Sequence, residues 1–268
     1  MNRVITVAGQ AVEIAEAGSG APLLYLHGFA DIHGAALEFL PFHRRLAEKK
    51  SLIAPAHPGC AGSAEDDEIE TMDDLAFRLI ETIDALGLDR IDIAGSCVGG
   101  WLAAELAVRH PERVRRLALV GASGLFVPGE PIGDFFWETQ PRNGSDYSGL
   151  RELLFARADD PAAQHLFPDD RSDAVRELSR YKMMRFASRI GFSPPYFYDR
   201  HLRQRLHRYK GPVLLVWGEH DRMVPRAHAD AYREGFAQAE LRIVTGAGHS
   251  PQAEKAEETA AAIADFMR

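Results

Sequence analysis

The chain has 268 residues, 46% of them hydrophobic and 26% charged, with a net charge of −8 at pH 7. That suffices for one large domain, or for one domain carrying an insertion. The acidic balance argues against a nucleic-acid partner, and no apolar run reaches the roughly 18–20 residues that cross a bilayer, so no membrane partner is expected either. Two cysteines, Cys60 and Cys97, are too few for a disulfide framework and suit a reducing compartment. Met1 to Val7 lacks the apolar stretch of a secretory leader, and the expectation is a cytoplasmic location.

Val4 to Val7 and Val12 to Ala17 predict a hairpin turning at Gly9-Gln10. Pro22 to Leu26 is a continuous apolar run of the kind buried on both faces of a sheet, and it ends in His27-Gly28-Phe29-Ala30. Leu37, Leu40 and Leu46 suggest a helix, Leu52 to Ala54 a strand, and Pro55 to Ser63 a Pro/Gly-rich loop. Thr71-Met72-Asp73-Asp74 opens a helix whose buried face is Leu75, Leu79, Ile83 and Leu86. Further strands are expected at Ile91 to Ala94, Leu117 to Val120, Pro212 to Trp217 and Leu241 to Val244. Helices follow at Ala227 to Phe236 and Glu254 to Met267.

Between Leu125 and Leu206 the alternation stops. This stretch is rich in aromatic residues, has helical patches without a clear strand, and holds Pro128, Pro131, Pro141, Pro161, Pro168, Pro194 and Pro195. It reads as a helical cap, residues 125–206, inserted into a core made of residues 1–124 and 207–268. Alternating strands and helices after a hairpin predict an α/β fold with a mostly parallel sheet, its functional groups at the carboxyl ends of the strands.

One such end is Gly95-Ser96-Cys97-Val98-Gly99-Gly100, a small-x-nucleophile-x-small pattern between a strand and a helix. Centring the turn on Ser96 would put Val98 where a small residue is required. Centring it on Cys97 puts Gly95 and Gly99 in the two small positions. Cys97 is therefore the expected apex, beside a helix N-terminus that favours an anion. The last two strands end in Gly218-Glu219-His220-Asp221 and Thr245-Gly246-Ala247-Gly248-His249. Nucleophile, acid and histidine thus come in one of the chain orders known for triads.

Here the chain resembles the α/β-hydrolase superfamily over nearly its whole length. His27-Gly28-Phe29 is similar to that family's oxyanion loop, and Pro58 to Ser63 to its Pro-Gly-x-Gly-x-Ser loop. Gly218 to Pro225 is similar to its acid loop, and Gly246 to His249 to its histidine loop. The departure is cysteine at the elbow, usually serine; dienelactone hydrolases and polyhydroxyalkanoate synthases are members with cysteine there.

The implied chemistry is attack by Cys97 on an acyl carbon. His249 would move the proton and Asp221 would orient the imidazole. The backbone N–H groups of Phe29 and Val98 would hold the oxyanion, each worth about 2.7–4 kcal/mol. Asp31, Trp137, Met184, Arg185 and Tyr196 are candidate substrate contacts, with Arg185 the basic candidate for a substrate carboxylate. No His, Cys, Asp or Glu cluster has metal-ligand spacing and no Gly-rich loop reads as a phosphate cradle, so no cofactor is expected.

The expected function is hydrolysis of a small, largely apolar ester, thioester or lactone through an acyl-cysteine. Cleavage of a carbon–carbon bond in a β-diketone-like substrate is an alternative. Carbon–carbon hydrolases of this superfamily often carry Trp after the catalytic His, where Ser250-Pro251 stands here. Acyl transfer and a catalytically silent binding homologue are the other readings. Oligomeric state and substrate identity are not written in the sequence.

Overall fold

A computed structural model describes residues 2–139, 146–192 and 196–268; Pro141, Pro194 and Pro195 lie outside the described residues. In chain order the elements are β1 (Asn2–Val7), β2 (Gln10–Ala17), β3 (Pro22–Leu26), α1 (Pro41–Ala47), β4 (Ser51–Pro55), α2 (Met72–Ala85), β5 (Ile91–Ser96), α3 (Cys97–Arg109) and β6 (Val114–Val120). Then come α4 (Phe135–Glu138), α5 (Ser148–Leu154), α6 (Pro161–Leu166), α7 (Ala174–Gly191) and α8 (Leu202–Arg205). The chain closes with β7 (Val213–Gly218), α9 (Arg226–Gly235), β8 (Ala239–Val244), α10 (Pro251–Glu254) and α11 (Ala256–Phe266).

The strands form one 8-stranded sheet in the order β1-β2-β4-β3-β5-β6-β7-β8. The β1–β2 and β2–β4 pairs are antiparallel and every pair from β4–β3 to β7–β8 is parallel. The central strands are apolar on both faces because both faces are covered. Leu24, Leu26, Ile93, Leu119 and Leu215 point into one core with α2 and α3. Leu23, Tyr25, Ala94, Val120 and Val216 point into the other with α1 and α11. Each large apolar side chain so buried contributes about 1.5–3 kcal/mol before entropy is charged against it.

Helix starts follow local chemistry. Thr71 caps α2 by accepting from the Asp74 N–H at 3.2 Å, while the Asp74 carboxylate accepts from the Thr71 N–H at 2.9 Å. The helix expected from Leu37 begins only at Pro41, which occupies its first turn. The closing helix is broken at Lys255, with φ −130° and ψ 53°, into α10 and α11. Between β6 and β7 the described residues form α4 to α8 and no strand.

β5, β7 and β8 run parallel, so the segments leaving them, residues 97–100, 219–225 and 245–250, emerge at one edge of the sheet. That edge is where the sequence concentrates its reactive side chains.

Candidate active site

Cys97 is the first residue of α3 and has φ +51°, the left-handed region that a side chain rarely adopts. The strain is sustained by close packing on both sides. A Cβ on Gly95 would lie 2.4 Å from the Gly99 carbonyl oxygen, and one on Gly99 would lie 2.2 Å from the Leu26 carbonyl oxygen. These positions tolerate only glycine, and the elbow is centred on Cys97 as its spacing requires.

Ser96 points elsewhere. Its hydroxyl donates to Asp31 Oδ2 at 2.6 Å. The same oxygen accepts from Tyr25 Oη at 2.5 Å, while Oδ1 accepts from the Ile32 N–H at 2.8 Å and faces His43 Nε2 at 2.9 Å. Asp31 is fully buried. Burial works to raise its pKa, but His43, Ser96 and Tyr25 outweigh burial and hold it below the usual value. Asp31, expected as a substrate contact, therefore lies inside the fold, binding the loop after β3 to the elbow, and not at a surface.

The acid loop leaves β7 beneath Trp217, whose indole N–H donates to the Val224 carbonyl at 2.9 Å. Asp221 Oδ1 accepts from the N–H groups of Met223 and Val224 at 3.0 and 2.8 Å. Both carboxylate oxygens also face His249 Nδ1, at 3.1 and 3.0 Å. Nδ1 therefore carries a proton toward Asp221, and Nε2 is the ring nitrogen turned away from it. Nε2 is buried, and Cys97 interacts with the same ring. Burial disfavours the imidazolium, yet the charges of Asp221 and Cys97 together raise the His249 pKa well above its ordinary value. Gly121, with φ +52°, packs on that ring; a Cβ there would sit 3.2 Å from it.

The loop after β3 passes directly over the elbow, since a Cβ on Gly28 would lie 2.8 Å from Cys97 Cβ. Val98 is the second residue of α3, where helix N–H groups lack an intrahelical acceptor. Phe29 and Val98 are both buried beside Cys97. His27, His33 and His57 lie under the same loop. The His57 N–H donates to His27 Nε2 at 3.0 Å, and all three are held neutral by burial, His57 down to about 4. Among the described residues no group of His, Cys, Asp or Glu is arranged to hold a metal ion.

A cavity of about 190 Å³ lies against the Phe29 ring, walled by Phe135, Tyr147, Met183 and Met184 and by Arg171, Glu177 and Arg180. Of the sequence candidates, Met184 lines it. Arg185 instead pairs with Glu65 on an exposed face, because its position on α7 turns it away from the cavity. Tyr196 donates to Asp134 at 3.3 Å, and Trp137 is 69% exposed. Sequence reading missed Arg180, one helical turn before Met184. Its Nε donates to the Leu166 carbonyl at 2.9 Å, its Nη1 pairs with Glu177, its guanidinium lies 5.2 Å from the Tyr147 ring centre, and its buried Nη2 has no hydrogen-bond partner among the described residues. Glu177 also accepts from Tyr147 Oη and Arg171 Nε, each at 2.7 Å. Two arginines against one glutamate leave this wall net positive.

The family model for the alpha/beta hydrolase fold matches residues 21–256. The chain belongs to that family. Among α/β hydrolases it is similar to a 2-hydroxymuconate semialdehyde hydrolase of Pseudomonas sp. (strain CF600), 26% identical over 100% of this chain and 94% of that protein. It is 31% identical, over 93% of its length, to the dihydrolipoyllysine-residue acetyltransferase component of the acetoin cleaving system of Cupriavidus necator, of which it spans 64%. A serine hydrolase from the polyaromatic hydrocarbon-degrading bacterium Cycloclasticus zankles superposes with a TM-score of 0.79 at 20% identity, over 100% of this chain and 97% of that one. That likeness concerns the α/β-hydrolase fold alone.

Proposed function

We propose that this α/β hydrolase cleaves a small acyl substrate bearing a carboxylate, through a covalent acyl-cysteine on Cys97. The observation that carries the reading is Cys97 held at the strained elbow beside a His249 whose Nδ1 is fixed by Asp221. Cys97 attacks as the thiolate, its proton already resting on His249, and sulfur bonds to the acyl carbon. The carbonyl electron pair moves to oxygen and is held by the N–H groups of Phe29 and Val98. Collapse of this intermediate expels the leaving group, which takes the proton from His249. Water, deprotonated by His249, then attacks the thioester and releases the acid and the thiol.

The net positive cavity wall and the Arg180 Nη2, without a hydrogen-bond partner among the described residues, support an anionic group on the substrate. The segment 125–206 acts in this reading as the cap that covers the site. Cys97 and His249 are only 3% and 4% exposed, so substrate entry needs that cover to move.

A second reading, cleavage of a carbon–carbon bond in a carboxylated diketone-like substrate, uses the same residues. It is favoured by the relative named as a semialdehyde hydrolase together with the Arg180 wall. Turnover assays separate the two: monoesters of dicarboxylic acids against carboxylated β-diketones, each beside its uncharged analogue, with Arg180→Met raising KM for the carboxylated member of each pair.

A further inference from the structure

α10 is a single turn that begins immediately after the histidine loop, and its last residue turns back on that loop. Glu254 Oε2 accepts from the Gly248 N–H at 2.7 Å, one residue before His249. Glu254 Oε1 accepts from the Ala156 N–H at 2.7 Å, just beyond α5. The two backbones touch there, since a Cβ on Gly248 would lie 2.4 Å from Ala156 N. The acid loop holds the same stretch by the opposite chemistry. Arg222, next to Asp221, donates to the carbonyls of Glu152, Phe155 and Ala156 at 2.6, 3.1 and 3.2 Å.

We infer that Glu254 is a positioning residue for His249, its two carboxylate oxygens tying the histidine loop to the segment after α5. The inference rests on His249 as the base of the proposed reaction, but the tie itself is a property of the fold. It is specific to an ionised carboxylate. Two N–H donors need two acceptor oxygens, and a Gln side chain would turn an NH2 toward one of them. A protonated carboxyl fails in the same way.

Burial raises the Glu254 pKa to about 7, against the opposing effect of the Ala156 and Gly248 N–H groups. Asp160 at the start of α6 raises it further, and His249 lowers it. Arg222 approaches from the acid loop, but its donors are spent on carbonyls. The tie is accordingly complete above neutral pH and loosens below it.

The test is amide hydrogen exchange by mass spectrometry, corrected for intrinsic pH dependence, on the full chain carrying Cys97→Ala, so that it stands whether or not Cys97 is a nucleophile. Residues 152–158 and 246–250 should exchange about tenfold faster in Glu254→Gln. They should also exchange faster in the unsubstituted Glu254 background as pH falls from about 8 to about 6, with no such pH effect in Glu254→Gln. With Cys97 present, Glu254→Gln should slow its alkylation by iodoacetamide about tenfold, through a misplaced imidazole. Unchanged protection of both segments, by pH and by substitution, overturns the tie. Altered protection with unchanged alkylation overturns the positioning role. Should Glu254→Gln not fold, the pH series on the Glu254 protein decides the tie by itself.

Discussion

Ser96 and Cys97 are neighbours in sequence with different partners: Ser96 donates to buried Asp31 at 2.6 Å, while Cys97, at φ +51°, interacts with His249. The elbow is therefore braced from below by a carboxylate that also binds Tyr25, Ile32 and His43. Asp31→Asn should destabilise the protein by about 1–3 kcal/mol, since its NH2 would face a buried donor that now bonds to a carboxylate oxygen. Urea unfolding at neutral pH measures this, and a loss under 1 kcal/mol would show the brace to be dispensable.

Gly121→Ala tests the support behind the histidine. The position has φ +52° and its Cβ would press on the imidazole at 3.2 Å. Stability should fall by about 1–2 kcal/mol from backbone strain. Turnover should fall further than stability accounts for, by about 10–100-fold, because the ring must shift. Steady-state kinetics on folded protein separates the two effects.

Acid should destabilise the fold well before the carboxylates titrate. His27, His33 and His57 are buried neutral, so below about pH 6.5 the unfolded chain takes up protons that the folded chain refuses. His57, held down to about 4, by itself removes about 3 kcal/mol as pH falls from its ordinary value to that point. His249 has the opposite sign. Its raised pKa favours folding below about pH 6.5, and that contribution is lost only as pH rises through its folded value. Urea midpoints between about pH 7 and pH 4 should fall steadily; a flat profile would contradict the neutral assignment of the three rings.

Arg180→Met should raise KM for a carboxylated substrate about 10–100-fold and leave KM for its uncharged analogue within about twofold, the expected worth of a charge-assisted hydrogen bond. Equal effects on both would remove Arg180 from the binding wall.

The strands, the elbow and the loops bearing Asp221 and His249 were legible in the sequence because each rests on a local rule. Apolar runs mark buried strands, and Gly95 and Gly99 leave room for only one apex. The cavity wall was not legible. Arg180 and Arg185 both lie on α7 among apolar residues, and only the direction of the helix tells that one faces Phe29 and the other Glu65. Asp31 and Glu254 were opaque for a related reason. Their partners, Ser96 and Ala156, are 65 and 98 residues away, and a carboxylate's neighbours across such distances leave no periodic trace.

The measurement closest to the central claim is peptide-resolved mass spectrometry after brief exposure to carboxylated esters and thioesters, with Cys97→Ala and His249→Ala alongside. The account predicts an acyl adduct on Cys97 that forms and decays at the rate of turnover, no adduct in Cys97→Ala, and slow formation in His249→Ala. Turnover that persists in Cys97→Ala, or an adduct on any other residue that keeps pace with turnover, would contradict it.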